Sequence, residues 1–186
     1  MKPLACSWMF VFFLLFPAIA WPGDSPSGPW RTLETKYTVI RYRTTEELTK
    51  FEGKVDYSPG SWGISRLFSG TPQQLEEKIG KKIDLLYERV QEILDMRKSM
   101  KKISVNLYGG RDALHQAYEQ IFKTPCNFRA WYIYDFNTIY INVEDLDESM
   151  LAHEMAHSII DHYLIVRPPA AAAEILARYV DKHLYD

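Results

Sequence analysis

The spacing of hydrophobic positions changes period several times along this chain, and each change marks an element. Leu75, Ile79, Ile83, Leu86, Val90 and Ile93 recur at spacings of three and four. That is one face of a long amphipathic helix, predicted to run to about Lys98. Thr71-Pro72-Gln73-Gln74 predicts its start: Thr71 caps, Pro72 suits the first turn and Gln74 completes a capping box. Arg97, Lys98, Lys101 and Lys102 follow at or beyond the negative end of the helix dipole, and we read them as a solvated helix end.

Elsewhere the period is two. Thr35 to Arg43 is a β-rich alternating run, and Ile103, Val105 and Leu107 alternate with polar residues before a Gly109-Gly110 turn. Trp131–Tyr134 and Thr138–Val143 flank Asp135-Phe136-Asn137, which predicts a hairpin. Tyr132, Tyr134 and Tyr140 read as one half-buried strand face, with groove lining as the second possibility. Thr45 to Phe51 and Asp112 to Phe122 predict shorter helices, the latter with Leu114, Tyr118 and Ile121 or Phe122 inward. Val55 to Ser69 holds turn formers such as Pro59-Gly60 and predicts no element.

Two helices close the chain. Asp145 and Glu148 form the expected capping box of the first, and Met150, Leu151, Met155, Ile159 and Leu164 supply its apolar surface. Pro168-Pro169 stops it, and the Ala-rich stretch Ala170 to Leu184 forms the second. Strands and helices in this mixed order give the α+β class.

Residues 1–20 read as a signal peptide: Lys2, a run that is nearly all apolar from Leu4 to Phe16, Pro17, and an Ala18-Ile19-Ala20 cleavage pattern. The run is short for a spanning helix, which needs about 20 apolar residues; the alternative is an uncleaved membrane anchor. Residues 21–30, rich in Pro, Gly and Ser, form a flexible lead-in, and residues 31–186 a single domain. Cys6 leaves with the leader, so Cys126 stands alone as a buried small hydrophobe, with no internal disulfide. A lone cysteine behind an export signal points to a bacterial periplasm. With 47% hydrophobic and 25% charged residues the composition is that of an ordinary globular protein. A net charge of −2 argues against general nucleic-acid or anionic-membrane binding, and after signal cleavage no stable membrane insertion is expected.

The chemistry concentrates in His153-Glu154-Met155-Ala156-His157. Helical spacing of four puts the two imidazoles about 40° apart on one face, with Glu154 about 100° round from His153. Two His on one face can hold Zn2+, and the carboxylate stands where it can take a proton from an activated water. H-E-x-x-H arises by chance in roughly one chain of this length in a few hundred, so context must carry the reading. A catalytic zinc site needs a third protein ligand. Asp161, His162, Glu174, Asp181 and His183 lie downstream. His162 is turned about 180° from His153 and cannot close the site on an unbroken helix. Asp161, four residues after His157, and Asp181, seven after Glu174, can each orient a ligand; Asp181 reads rather as solvated. The Gly and third His of the metzincin pattern are missing.

Glu174 opens the final helix after a proline-bounded turn able to fold it back on its predecessor. Together with Glu174-Ile175-Leu176-Ala177-Arg178-Tyr179, the H-E-x-x-H segment resembles the gluzincin pattern, and more narrowly the minimal "peptidase MA-like" proteins. Their second motif reads E-G-x-A-x-Y; Glu174, Ala177 and Tyr179 match it, while Ile175 replaces the Gly. The resemblance covers about residues 103–186. It implies a zincin-like minimal metallopeptidase domain with a small mixed sheet, an active-site helix and a C-terminal glutamate helix. It further implies Zn2+ on His153, His157 and Glu174, with Glu154 as general base. Thr138 to Val143 would pair with an extended peptide or protein substrate by strand addition. Tyr179 and His183 are available as oxyanion donors, although Tyr179 reads rather as packing between helices. The expected function is a secreted zinc metallopeptidase; the alternative is a catalytically silent peptide- or partner-binding protein on the same scaffold, and a third reading has zinc only stapling the terminal helices.

Overall fold

Alternating β-branched and aromatic segments assemble into a five-stranded mixed sheet in the computed structural model, which describes residues 28–57 and 71–186. The expected signal segment, most of the lead-in and nearly all of the unassigned stretch 55–69 lie outside those residues. The strands are β1 (Arg31–Glu34), β2 (Thr38–Tyr42), β3 (Ile103–Tyr108), β4 (Ala130–Ile133) and β5 (Thr138–Asn142), in the spatial order β1-β2-β3-β5-β4. β2, β3 and β5 run parallel, and β1 and β4 pair antiparallel at the two edges. The helices are α1 (Thr45–Lys54), α2 (Pro72–Ile93), α3 (Arg111–Phe122), α4 (Glu148–Tyr163) and α5 (Ala170–His183). The fold is therefore α+β, and among the described residues no helix is long and apolar enough to cross a membrane.

One sheet face carries the main core. Ile40, Val105, Leu107, Ile139 and Ile141 pack there with side chains of α1, α2, α4 and α5, such as Phe51, Leu86, Met155 and Val180. The other face meets α3 alone, through Leu114 and Ala117 against Tyr108, Trp131, Tyr140 and Cys126. Cys126 is buried, as its composition role requires, and burial raises its thiol pKa. The three tyrosines do not share a face. Trp131 pairs with Tyr140 across the β4–β5 ladder, so Tyr140 lies with Trp131 beneath α3 while Tyr132 faces α4.

Local signals account for most element ends. Gln74 Oε1 accepts the Thr71 N–H at 3.0 Å, and Pro72 opens α2. That helix ends at Ile93, with the last periodic apolar residue and short of the expected end near Lys98. Asp95 takes a left-handed conformation (φ 52°), Met96 N–H donates to Gln91 O at 2.9 Å, and the Gln91 amide reaches the carbonyls of Met96 and Lys98. The cap of α4 is Asp147, whose Oδ1 accepts from Met150 N–H at 2.8 Å, and not Asp145. Asp145 is drawn away by Arg111 and Asn142, whose side chains donate to its Oδ2 at 3.1 and 3.0 Å. The expected Thr35–Arg43 run holds β2 alone: a turn at Thr35–Tyr37, held on the Asp84 carboxylate of α2, separates it from β1, a strand the alternation did not predict.

α1 and α2 are joined by a largely buried ion pair. Lys82 Nζ lies 2.7 Å from Glu52 Oε1, and Lys78 Nζ reaches the same oxygen at 2.8 Å. Burial pushes the Glu52 carboxyl up, but the two ammonium groups outweigh it and hold the carboxyl below its ordinary 4.5. A carboxylate with a depressed folded pKa adds stability above its unfolded pKa and loses it as pH falls through the folded value. Lys82→Met is expected to cost about 1–2 kcal/mol in urea unfolding at pH 7, because it removes the more buried of the two ammonium groups on Glu52 and leaves Lys78 alone on that oxygen. The difference from wild type should narrow below roughly pH 4. An equal difference at pH 7 and pH 3 would assign the loss to packing instead.

Candidate metal centre

α4 carries His153 and His157 one turn apart, and α5 folds back along it after Pro168-Pro169 to deliver Glu174. The two helices share a core that contains Ala152 and Ala156 from α4 and Ala173 and Ala177 from α5, all buried. Ile175, where the resembled motif has Gly, is 68% exposed, so its bulk does not bear on the helix approach.

The three ligand atoms converge. His153 Nε2 and His157 Nε2 are 3.2 Å apart, and Glu174 Oε2 lies 3.6 Å from the first and 3.5 Å from the second. A tetrahedral ion at about 2.0–2.1 Å from each ligand requires separations of about 3.3–3.4 Å, so these three atoms stand where one metal ion could be held. Within the described residues this His-His-Glu group is the one cluster able to hold a metal.

Further side chains fix the ligands. His153 Nδ1 is 2.9 Å from Asp181 Oδ2, which places the ring proton on Nδ1 and leaves the Nε2 lone pair facing the cluster. Asp181 therefore orients an imidazole; the expectation that it is only solvated does not hold. Arg178 Nε donates to Glu174 Oε1 at 2.7 Å, which turns the other carboxylate oxygen toward the imidazoles and, as the main cause, lowers the Glu174 pKa. Burial, then the neighbouring His153, lowers the pKa of His157 and favours the neutral imidazole that a metal needs. Burial pushes Glu154 up to about 7, with Glu174 and Asp181 adding to the effect and His153 opposing it. A carboxyl poised near neutrality is suited to taking and returning a proton.

The site opens into a cleft of about 670 Å³. One wall is the β4 side, with Phe128, Ala130, Trp131 and Tyr132; the floor is His153, Glu154 and His157. The α4–α5 connection supplies Arg167 and Pro168, and α5 supplies Ala170, Ala173 and Glu174. Asp161 also lines the cleft, but its carboxylate is held by Arg167, whose Nε and Nη2 lie 3.0 and 2.9 Å from Oδ2. It thus anchors Arg167 where an imidazole was expected. Tyr179 and His183 stand outside the cleft: their rings lie 4.2 Å apart, Tyr179 is 49% exposed, and His183 Nδ1 bonds Asp186. Neither reaches the metal site as an oxyanion donor, and Tyr179 is not packed between helices.

β5 lies between β3 and β4, so both of its edges are already paired and Thr138 to Val143 cannot accept a further strand. The open edge beside the cleft belongs to β4. The β4–β5 hairpin is pinned by Asn137 (φ 44°), a residue that the sequence reading treated only as turn chemistry. Its Oδ1 accepts from Ser158 Oγ at 2.7 Å and Tyr132 OH at 3.3 Å, and its Nδ2 reaches the carbonyls of Lys101 and Lys102. Tyr132 OH also lies 3.2 Å from His162 Nε2, and Arg167 stacks over Tyr134. Arg167 and Asn137 gave no spacing signal, because their partners are brought to them by the tertiary fold; Arg178 stands four residues after Glu174 on one helix face, a spacing that the chain itself carries.

About one zinc per purified chain is expected by elemental analysis, and Glu174→Ala should reduce that occupancy. Asp181→Asn should weaken zinc affinity by about 10- to 100-fold in a competition with a chelator. A folded, metal-replete chain without zinc would show that the convergence serves another purpose. No protein-family model, no curated protein and no solved structure matches this chain.

Proposed function

We propose that the chain is a minimal zinc-dependent metallopeptidase of the gluzincin kind, with His153, His157 and Glu174 holding the metal and Glu154 as general base. The observation that carries this reading is the meeting of three ligand atoms at tetrahedral separations beside a buried carboxyl, in an open cleft. When bound, zinc supplies Lewis acidity to the scissile carbonyl and to the attacking water.

The rest falls to the protein. Glu154 accepts the proton of the water at its carboxylate and returns it to the leaving amine nitrogen. Its place on the cleft floor, between His153 and His157 in sequence and beside the ligand atoms, puts it within reach of both transfers. Asp181 and Arg178 hold a ligand each, so little reorientation is needed when charge develops. An extended peptide would add to the free edge of β4, where main-chain hydrogen bonds give affinity and Phe128, Tyr132 and Pro168 offer apolar contacts. The leader, with its Ala18-Ile19-Ala20 pattern, supports action outside the cytoplasm.

The zinc-staple reading loses support from the geometry, since Asp181 sits on His153 Nδ1 and not among the ligand atoms. The binding-protein alternative is separated by turnover. Glu154→Gln should retain zinc and the fold, yet lower cleavage of a mixed peptide library by about 10³-fold. Undiminished cleavage by the zinc-loaded variant would remove Glu154 from the mechanism. Saturable peptide binding by zinc-loaded wild type, with no cleavage, would favour the binding module.

A further inference from the structure

The connection between α4 and α5 exposes an apolar tip. Ile165 is 103% exposed, Val166 78% and Leu164 36%, three consecutive large hydrophobics presented to solvent. Scattered single hydrophobics on a surface are ordinary, but a contiguous exposed group marks an interaction site. The tip forms a shallow crevice of about 560 Å³ with Tyr163, Arg97 and Lys98, and no carboxylate lines it. The basic run after α2 is thus packed beside the apolar tip, although more than 60 residues of chain separate them. Lys101, also exposed, is close enough to add its charge to burial in lowering the His162 pKa at the end of α4. Arg97 spends part of its charge on Glu92 at 3.3 Å, which leaves Lys98 and Lys101 as the main cations on that side.

We propose that this tip docks on an anionic lipid bilayer, with Leu164, Ile165 and Val166 entering the headgroup boundary and Lys98 and Lys101 meeting lipid phosphates. The charge pattern is complementary to that surface: apolar projection, flanking cations, and a Tyr at the level where aromatic side chains favour a membrane interface. The shape selects it too. A stable protein interface buries about 800 Å² on each partner, whereas this is a projection of three side chains. A bilayer receives such a projection without needing a shaped complement. Recognition is local, so it coexists with a net charge of −2. Arg167 and Pro168, the next residues of the same connection, line the metal cleft. Docking therefore brings the metal cleft close to the membrane surface, whatever chemistry the cleft performs.

Hydrogen–deuterium exchange of the full chain on vesicles tests this, with phosphatidylcholine alone compared with phosphatidylcholine containing phosphatidylglycerol. Amides of residues 163–168 should be protected on the anionic vesicles at low salt and not on the neutral ones. Ile165→Ser with Val166→Ser should remove that protection and weaken partitioning by about tenfold or more. Lys98→Ala with Lys101→Ala should weaken it by about fivefold per cation. The leader is common to all variants, so these differences isolate the tip. A vesicle-bound chain whose residues 163–168 exchange freely would overturn the proposal, because another segment then holds it. So would failure to bind, and so would lipid-independent protection that grows with protein concentration, which would make a second copy the occupant.

Discussion

The antiparallel packing of α4 on α5 is the constraint on which the rest depends. Two imidazoles on one helix face are only a local pattern until a carboxylate from another helix arrives within about 3.5 Å of both. Ala152, Ala156, Ala173 and Ala177 provide small side chains in the core the two helices share, and Met155, Ile159 and Val180 are buried in the same core. α4 ends at Tyr163, ahead of the proline pair that the sequence reading took to stop it, and Pro169 is the N-cap of α5, so the return is made in residues 164–168.

Around that seam the charges are arranged asymmetrically. Glu154, Glu174 and Asp181 surround the two imidazoles, and burial disfavours the charged form of His157. Such a set is short of positive charge at its centre, which is the electrostatic condition for a divalent ion. Arg178 and Asp181 each hold one end of a ligand and leave the other end facing inward. Preorganisation here comes from charge-assisted hydrogen bonds one layer out, on the same two helices.

The α4–α5 connection has two faces with different tasks. Its Arg167 is drawn inward by buried Asp161 and the Tyr134 ring, and with Pro168 it shapes the cleft. Its Ile165 and Val166 are left outside the core, and Leu164 beside them is 36% exposed. The cost of exposing these side chains, about 1.5–3 kcal/mol each relative to burial, is the physical reason to look for a partner at that tip.

Much of the fold was legible from the chain because it depends on neighbours in sequence. Periodicity of three and four marked α2, α3, α4 and α5, alternation marked β2 to β5, and Pro72, Gln74 and Asp135-Phe136-Asn137 marked ends and turns. The His153–His157 spacing is likewise a property of one helix, and Glu174 came from a motif resemblance that was itself local. Tertiary structure alone decided which strand keeps a free edge, that Asp181 holds His153 while Asp161 holds Arg167, and that Tyr179 and His183 stand apart. It also set Arg97 and Lys98 beside Ile165. Each of these outcomes pairs groups according to which helices and strands pack together, and that packing is chosen by burial of the whole core, not by any stretch of residues near the groups concerned.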